Sequence, residues 1–420
     1  MRITITAIGS RGDVQPCVAL GIGLKRAGYQ VRIAAYGLLA DFVRRHDLEF
    51  APITGNPREA METQAGQAWQ ASGENAVKFI RGIRNLATFE QLRQSLDDTV
   101  DACRGTDAIL YSVMGAAGYH VAEMMRIPSL YLLLQPLTRS RETPCLFAPT
   151  LPLGGSYKWW TYIVYEQLLW QMVRVPINQW RRESLKLKPL PLRGPFDGLY
   201  KNNEPFIYGF SRYVVPRPND WPPEHHITGY WFLDDANDWS PPSDLSDFLA
   251  REPKPIYIGF GSMSGHSARR LADLSIEAVT LANQRAVLLG GWAAAHERDL
   301  PSHIYAIDSA PHDWLFPRVA AVVHHGGAGT TAAGLRAGCP SVILPFMGDQ
   351  PYWGQRVHVL GVGPKPILPK ELTARRLADA ITRAITDEEM KQRAVALGEK
   401  IHAEDGVARA VELVRRYVER

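Results

Sequence analysis

Val319-Ala320-Ala321-Val322-Val323 runs into His324-His325-Gly326-Gly327-Ala328-Gly329-Thr330-Thr331, and that into Ala332-Ala333-Gly334-Leu335-Arg336-Ala337. The first five residues are a short, continuous apolar run, as in a strand buried on both faces of a parallel sheet. The small residues at the end read as a helix. A strand, a glycine-rich turn and a helix in that order bring free backbone N–H groups and the positive end of a helix dipole to one point, which suits phosphate. A histidine beside the turn adds a donor. The same residues would also serve a turn that only packs a helix tightly on a sheet, and the turn alone does not separate the two readings.

The neighbouring segment does. Leu344-Pro345-Phe346-Met347-Gly348-Asp349-Gln350-Pro351 reads as a second apolar strand that ends in a polar loop. Ligands of a parallel sheet sit outside the carboxyl ends of its strands, so both loops face one crevice. One loop offers phosphate donors and the other offers groups that grip hydroxyls, together the requirements of a nucleotide sugar.

Working outward, Pro255 to Ser262, Ala286–Leu289 and Tyr305–Ile307 supply further strands in βα order ahead of this pair. At the other end of the chain, Ile3–Ile8 is a strand, followed by Gly9-Ser10-Arg11-Gly12-Asp13-Val14-Gln15 as a loop. A helix then starts at Pro16, which suits a first turn, and stops at Gly28. Val31–Ala35 is the next strand, which makes a βαβ opening of a doubly wound sheet. The G-x-x-G spacing of Gly9 and Gly12 is not a dinucleotide fingerprint, and Arg11-Gly12-Asp13 between a strand and a helix is not an adhesion motif. Ala108–Tyr111 and Ser129–Leu134 are further buried strands. Pro216 to Pro242, rich in Pro, Trp, Asn and Asp, reads as the interdomain segment. Val407, Ala410, Val411, Val414 and Val418 form an apolar stripe on a last helix.

Between Pro144 and Pro176 stand Trp159, Trp160, Tyr162, Tyr165 and Trp170 among many aliphatics. Trp160, Val164, Leu168 and Met172 share one helical face. That face fits the inner side of a core helix, the wall of an apolar acceptor pocket, or a patch lying on a membrane.

The 420 residues are too many for one ordinary core and imply two domains. The net charge of +4 gives no argument for nucleic acid. Cys17, Cys103, Cys145 and Cys339 are far apart, as reduced buried thiols are, and form neither a disulfide framework nor a zinc site. With no visible signal peptide and no apolar run long enough to span a bilayer, a cytoplasmic location is expected.

Pro311-His312-Asp313-Trp314-Leu315-Phe316, the His-His-Gly-Gly-Ala-Gly-Thr-Thr run and Pro345-Phe346-Met347-Gly348-Asp349-Gln350 together resemble the donor signature of inverting, UDP-sugar-type glycosyltransferases. The likeness is greatest to sterol glucosyltransferases and to bacterial enzymes that glycosylate lipids and natural products. It covers the second half strongly and the first half mainly at residues 1–35 and about 227–234. It implies the GT-B class of α/β fold, two doubly wound Rossmann-like domains facing a cleft. The acceptor domain would span 1–235, a linker 236–253 and the donor domain 254–400, with 401–420 crossing back to the first domain. It also implies transfer of a hexose, glucose foremost, from a UDP- or dTDP-sugar to a hydroxyl on an apolar acceptor, with no metal or other cofactor and no nucleic acid as partner. The alternatives are a nucleotide-sugar isomerase or epimerase of the same fold, or a non-catalytic nucleotide-sugar binder.

The resemblance also places residues. Gly261, Ser262, Gly327, Ala328, Gly329, Thr330 and Thr331 would hold the diphosphate. An ungapped match puts the phosphate-binding histidine at His324, and His325 stays a candidate. Many relatives carry a tryptophan under the base where this chain has Ser309 or Ala310, which leaves the backbone at Pro311 and His312 to hold it and leaves uracil or thymine open. Asp349 and Gln350 would hold sugar hydroxyls. Ser10, Arg11 and Gly12 are counted with the donor-contacting groups, and Trp159, Trp160, Tyr165 and Trp170 with the acceptor wall. A hydroxyl attacking a sugar carbon needs a base. In sterol- and glycopeptide-directed relatives the proposed base is the aspartate of the Gly-Ser-Arg-Gly-Asp loop, here Asp13, with Asp349 as rival. Asp13 also fits a plain helix-capping role.

Overall fold

The computed structural model describes every residue except 57–58, 60–65, 67–87, 235–238, 262–264, 290–299 and 420, and the side chains of 265–268. The chain divides into two units: Met1–Leu233 with Glu404–Arg420, and Asp234–Ala403.

In chain order the first unit holds β1 (Arg2–Thr6), α1 (Arg11–Arg26), β2 (Gln30–Tyr36), α2 (Ala40–Arg45), β3 (Glu49–Ile53), α3 (Phe89–Ala102), β4 (Ala108–Tyr111), α4 (Ala117–Met125), β5 (Ser129–Leu133), α5 (Gly154–Glu183), α6 (Phe196–Lys201), β6 (Phe206–Tyr208) and β7 (His225–Ile227). The second holds α7 (Ser243–Leu249), β8 (Ile256–Gly259), α8 (Gly265–Leu281), β9 (Ala286–Leu289), β10 (Ile304–Ile307), α9 (His312–Leu315), β11 (Val322–His324), α10 (Ala328–Arg336), β12 (Ser341–Ile343), α11 (Gln350–Val359), α12 (Ala374–Thr386) and α13 (Glu388–His402). A last helix, α14 (Gly406–Val418), belongs to the first unit.

Each unit is wound about a parallel sheet, ordered β3-β2-β1-β4-β5-β6-β7 in the first and β10-β9-β8-β11-β12 in the second. Chain direction across the sheet reverses between β1 and β4, and again between β8 and β11. Those are the points where a doubly wound sheet opens a crevice beyond its strand ends. The central strands are buried on both faces, as helices on either side require: Ile3 and Ile5 on one face of β1 with Thr4 and Thr6 on the other, Ile109 and Leu110 in β4, and Ile256, Ile258, Val322 and Val323 in the second sheet.

Several boundaries differ from the sequence reading. Helix α1 begins at Arg11, not Pro16, because Ser10 and Asp13 form a capping box that starts it five residues earlier. Pro16 lies inside the helix, where it has no N–H to offer the Gly12 carbonyl. The segment read as interdomain contains β7, the edge strand of the first sheet, and Leu245 and Phe248 of α7 pack into the second unit's core within the span read as linker. The polar loop of Asp349 follows a strand that ends at Ile343, so Leu344 to Met347 are loop. The four cysteines are free and buried.

The Trp-rich segment is the long helix α5, with the opposite polarity to a core-facing Trp160 stripe. Its inner face carries Tyr162, Trp170, Ile177 and Trp180, while Trp160, Val164 and Leu168 face solvent.

Candidate active site

In the second unit three loops leave the carboxyl ends of the adjacent strands β8, β11 and β12. The loop after β11 carries the glycine-rich turn. At its end Gly327 is the N-cap of α10, and the first intrahelical bond runs from the Thr331 N–H to the Gly327 carbonyl at 2.9 Å. The N–H groups of Ala328, Gly329 and Thr330 therefore have no intrahelical acceptor and point out of the helix start. Adding the dipole, this end favours an anion.

The two histidines part company because successive residues at a strand end face opposite ways. His324 is fully buried, and its Nδ1 accepts the Gly326 N–H at 3.0 Å. Burial, followed by the charges of His325 and His312, holds its pKa well below the usual value. His325 faces the turn. A methyl group on Gly261 would lie 3.3 Å from its Cε1, and one on Gly327 only 2.6 Å from its Nε2. Of the two candidate histidines, His325 is therefore the imidazole beside both the helix start and the loop after β8. Burial lowers the His325 pKa to about 4, so near neutrality it is an uncharged ring with one N–H to donate. Its Nδ1 makes no hydrogen bond among the described residues.

The two threonines also separate. Thr330 is half-buried at the helix start, whereas the Thr331 side chain is fully buried. The Thr331 hydroxyl, expected to hold the diphosphate, is buried and makes no hydrogen bond among the described residues. Ser262 lies outside the described residues, while Gly261, at φ +66°, places the loop after β8 against His325.

The loop after β12 is braced by its own polar side chains. Gln350 Oε1 accepts the backbone N–H of Phe346 at 2.8 Å and of Met347 at 3.1 Å, and Asp349 Oδ2 accepts the Trp353 indole N–H at 2.8 Å. The Gln350 amide nitrogen makes no hydrogen bond among the described residues. A Cβ at Gly326 would come within 3.0 Å of the Gln350 carbonyl oxygen, so the glycine-rich turn and the Asp349 loop are in contact. His312 opens α9 after Pro311, its ring stacked on Phe316 at 4.3 Å and edge-on to Tyr257 at 6.0 Å.

In the first unit the loops after β1 and β4 meet at the switch point. Asp13 Oδ2 accepts the Ser10 N–H at 2.8 Å and the Ser10 hydroxyl at 2.9 Å, so the capping role is real. Arg11 and Gly12 lie in the same helical turn, exposed. The carboxylate leans over Gly9, where a Cβ would fall 2.4 Å from Oδ2. Across the switch point, the Thr6 hydroxyl donates to the Gly115 carbonyl at 2.8 Å, and Ser112 Oγ accepts the Gly115 N–H at 3.1 Å. This pins a loop whose Met114 is 59% exposed. Sequence reasoning did not single out Met114, an exposed apolar residue between the buried strand β4 and the Gly115 turn.

The proposed acceptor wall splits three ways. Trp159 lies under the guanidinium groups of Arg139 and Arg141, and Tyr165 stacks on Phe147 at 5.0 Å. All three partners come from the long loop after β5, on the strand-end side. Arg139 is itself fixed by Glu166 at 3.0 Å and Asp197 at 2.8 Å; burial raises the Glu166 pKa against the opposing pull of Arg139. Trp170 is in the core, its indole N–H donating to the Pro191 carbonyl at 3.2 Å and its ring against Gly194, so it offers no face to an acceptor. Trp160 points into solvent, away from that core. Among the described residues no group of three or more His, Cys, Asp and Glu side chains is placed to hold a metal ion.

Comparison with known proteins places the chain's fold. Residues 3–144 match the glycosyltransferase family 28 N-terminal domain, and residues 279–417 match the C-terminal domain of erythromycin biosynthesis protein CIII-like proteins. The whole chain aligns at 40% identity with a sterol 3-beta-glucosyltransferase of Aspergillus fumigatus and at 38% with one of Cryptococcus neoformans. It spans only 30% and 27% of the length of those two proteins. Among solved structures, the calicheamicin glycosyltransferase CalG4 superposes with a TM-score of 0.71 at 17% identity, covering 100% of this chain and 99% of that one. SnogD from Streptomyces nogalater gives 0.67 at 18%, with 99% of each chain covered, and VinC, solved in complex with dTDP, gives 0.64 at 19%, with 100% of each. The chain thus has the GT-B fold of these solved glycosyltransferases, and its two ends match the two family domains named above.

Proposed function

We propose that the protein transfers a hexose, glucose foremost, with inversion from a UDP- or dTDP-sugar to the hydroxyl of an apolar acceptor such as a sterol. The observation that carries the donor half is the open start of α10 beneath the neutral His325, in contact with the Asp349-Gln350 loop. In this reading the N–H groups of Ala328, Gly329 and Thr330 and the His325 ring take up the charge that develops on the departing diphosphate. Asp349 and Gln350 hold sugar hydroxyls, and Pro311 with His312 borders the base. Asp13 takes the proton from the acceptor hydroxyl, and Trp159, Tyr165 and Met114 line the approach of its apolar body. The alignment with sterol 3-beta-glucosyltransferases supports glucose and a sterol, and the dTDP complex of VinC keeps a thymidine donor in view.

Because backbone N–H groups and a histidine meet the diphosphate charge, no metal is required. The test is incubation with UDP-glucose or dTDP-glucose and a panel of sterols, with and without EDTA, read by mass spectrometry. Glucosylated sterol formed equally with EDTA supports the proposal. An epimerised donor without acceptor product points to an isomerase, and an absolute need for added Mg²⁺ overturns the charge assignment.

A further inference from the structure

The outward face of α5 carries a row of exposed apolar side chains. Trp160 (62% exposed), Val164, Leu168 and Val175 (64%) fall within one narrow wedge of the helix. At 1.5 Å per residue they mark a stripe about 22 Å long. Leu192 (65%) joins it, because Gln171 and Gln167 donate to the Leu192 and Arg193 carbonyls at 2.8 Å and hold that strip alongside. Exposed Leu151 and Leu153 extend it at the helix start, where the Tyr157 hydroxyl donates to the Pro149 carbonyl at 2.8 Å. Single exposed apolar residues are ordinary, but a stripe of this length, crossed by Gln167 and Gln171, marks an interaction surface.

Charge says what covers it. Between Thr143 and Phe196 the only acidic residues are Glu166 and Glu183. Glu166 is buried against Arg139, and Glu183 is bound to Arg93 at 2.8 Å. Against them stand Arg174, Arg182, Lys186, Lys188 and Arg193 on the same stretch, the last four exposed. An apolar stripe with an indole at one end and cations along its margins matches an anionic bilayer interface: acyl chains for the aliphatics, the headgroup level for Trp160, phosphates for the cations. No helix among the described residues is long and apolar enough to cross a bilayer. We propose that α5 and the 192–193 strip dock the protein, lying in plane, on an anionic lipid surface. This docking stands apart from the sugar-transfer reading and needs neither donor nor acceptor.

The test is co-sedimentation of the whole chain with vesicles of phosphatidylcholine alone and of phosphatidylcholine with phosphatidylserine. Binding should favour the anionic vesicles and weaken with salt. Trp160→Ser with Val164→Ser should lower partitioning at least roughly tenfold without lowering the unfolding temperature, because both side chains already face solvent. Arg174→Gln and Arg193→Gln should each cost roughly fivefold on anionic vesicles only. Absence of vesicle binding overturns the proposal, as does binding that the Trp160/Val164 change leaves intact. A dimer in solution that the same change dissociates also overturns it, since the face would then join two copies.

Discussion

Two aspartates and two histidines show how one residue's surroundings decide its chemistry. Asp13 spends one carboxylate oxygen on Ser10, yet capping and proton abstraction are compatible if substitution separates them. Asp13→Asn keeps an acceptor for the Ser10 N–H, and so most of the cap, but cannot take a proton. As the base, it should lose roughly 10²–10⁴-fold in kcat with little change in unfolding temperature; as a cap only, the change is nearly silent and Asp349→Asn shows the loss instead. Steady-state kinetics of both variants at saturating donor decide this. For the histidines, His325→Ala should lower kcat by roughly 10²-fold through lost stabilisation of the leaving diphosphate and leave stability nearly intact. His324→Ala should act mainly on stability, because it empties a fully buried site and orphans the Gly326 N–H. Equal kinetic losses in two equally stable variants would overturn the assignment of His325. The motif made a histidine at this turn legible. Which of two adjacent rings faces the ligand depends on how β11 is rotated, and no residue type reports that.

At the scale of elements, α1 and α14 explain a glycine, Gly23, that looks misplaced inside a helix. A Cβ on Gly23 would lie 2.4 Å from Val407 Cγ1 and 3.1 Å from Val411 Cγ2, so α14 packs its valine stripe where α1 has no side chain. Helix propensity alone favours Gly23→Ala by about 1 kcal/mol. The clash with a stiff β-branched neighbour reverses the sign, and the change should destabilise by roughly 1–3 kcal/mol. In a Val407→Ala background the obstacle is gone and Gly23→Ala should become neutral or stabilising; a chemical-denaturation double-mutant cycle reads the difference. The strands of both sheets were legible where they are buried on two faces, as in Ala108–Tyr111 and Ala286–Leu289. β3, β6 and β7 were not. Pro52 interrupts the first, the others are only three residues long, and β7 lies among prolines that imitate a linker. In α5 the apolar stripe was visible, but its direction was not. Periodicity gives a face and never says whether protein or solvent lies beyond it, and here Trp170 and Trp180 claimed the core first.

For the whole molecule, the common theme is neutral imidazole sealed inside both units, and it predicts how stability follows pH. In the first unit burial, with Arg181 beside His120 and Arg217 beside His225, lowers each of these two to about 3. The second unit holds His324 well below the usual value and His325 at about 4. An unfolded histidine takes its proton near pH 6.5. As pH falls below that value the unfolded chain binds protons that the folded chain refuses, and stability is lost until the folded pKa is reached. Buried Glu166, Glu204 and Glu404 have raised pKa values and work in the opposite direction. The imidazoles act between the unfolded value and their own folded ones. Between pH 7 and 5.5 each should contribute about 1.3 kcal/mol, or roughly 2–3 kcal/mol of lost stability for each unit. His120 Nδ1 accepts from Arg181 Nη1 at 3.0 Å, an acceptor that a glutamine oxygen can imitate. His120→Gln should thus make the pH dependence of the first unit shallower by about one proton, even if the variant starts less stable at pH 7. Urea unfolding followed at several pH values measures that slope, and a slope unchanged by His120→Gln would mean that the imidazole is already protonated in the folded chain.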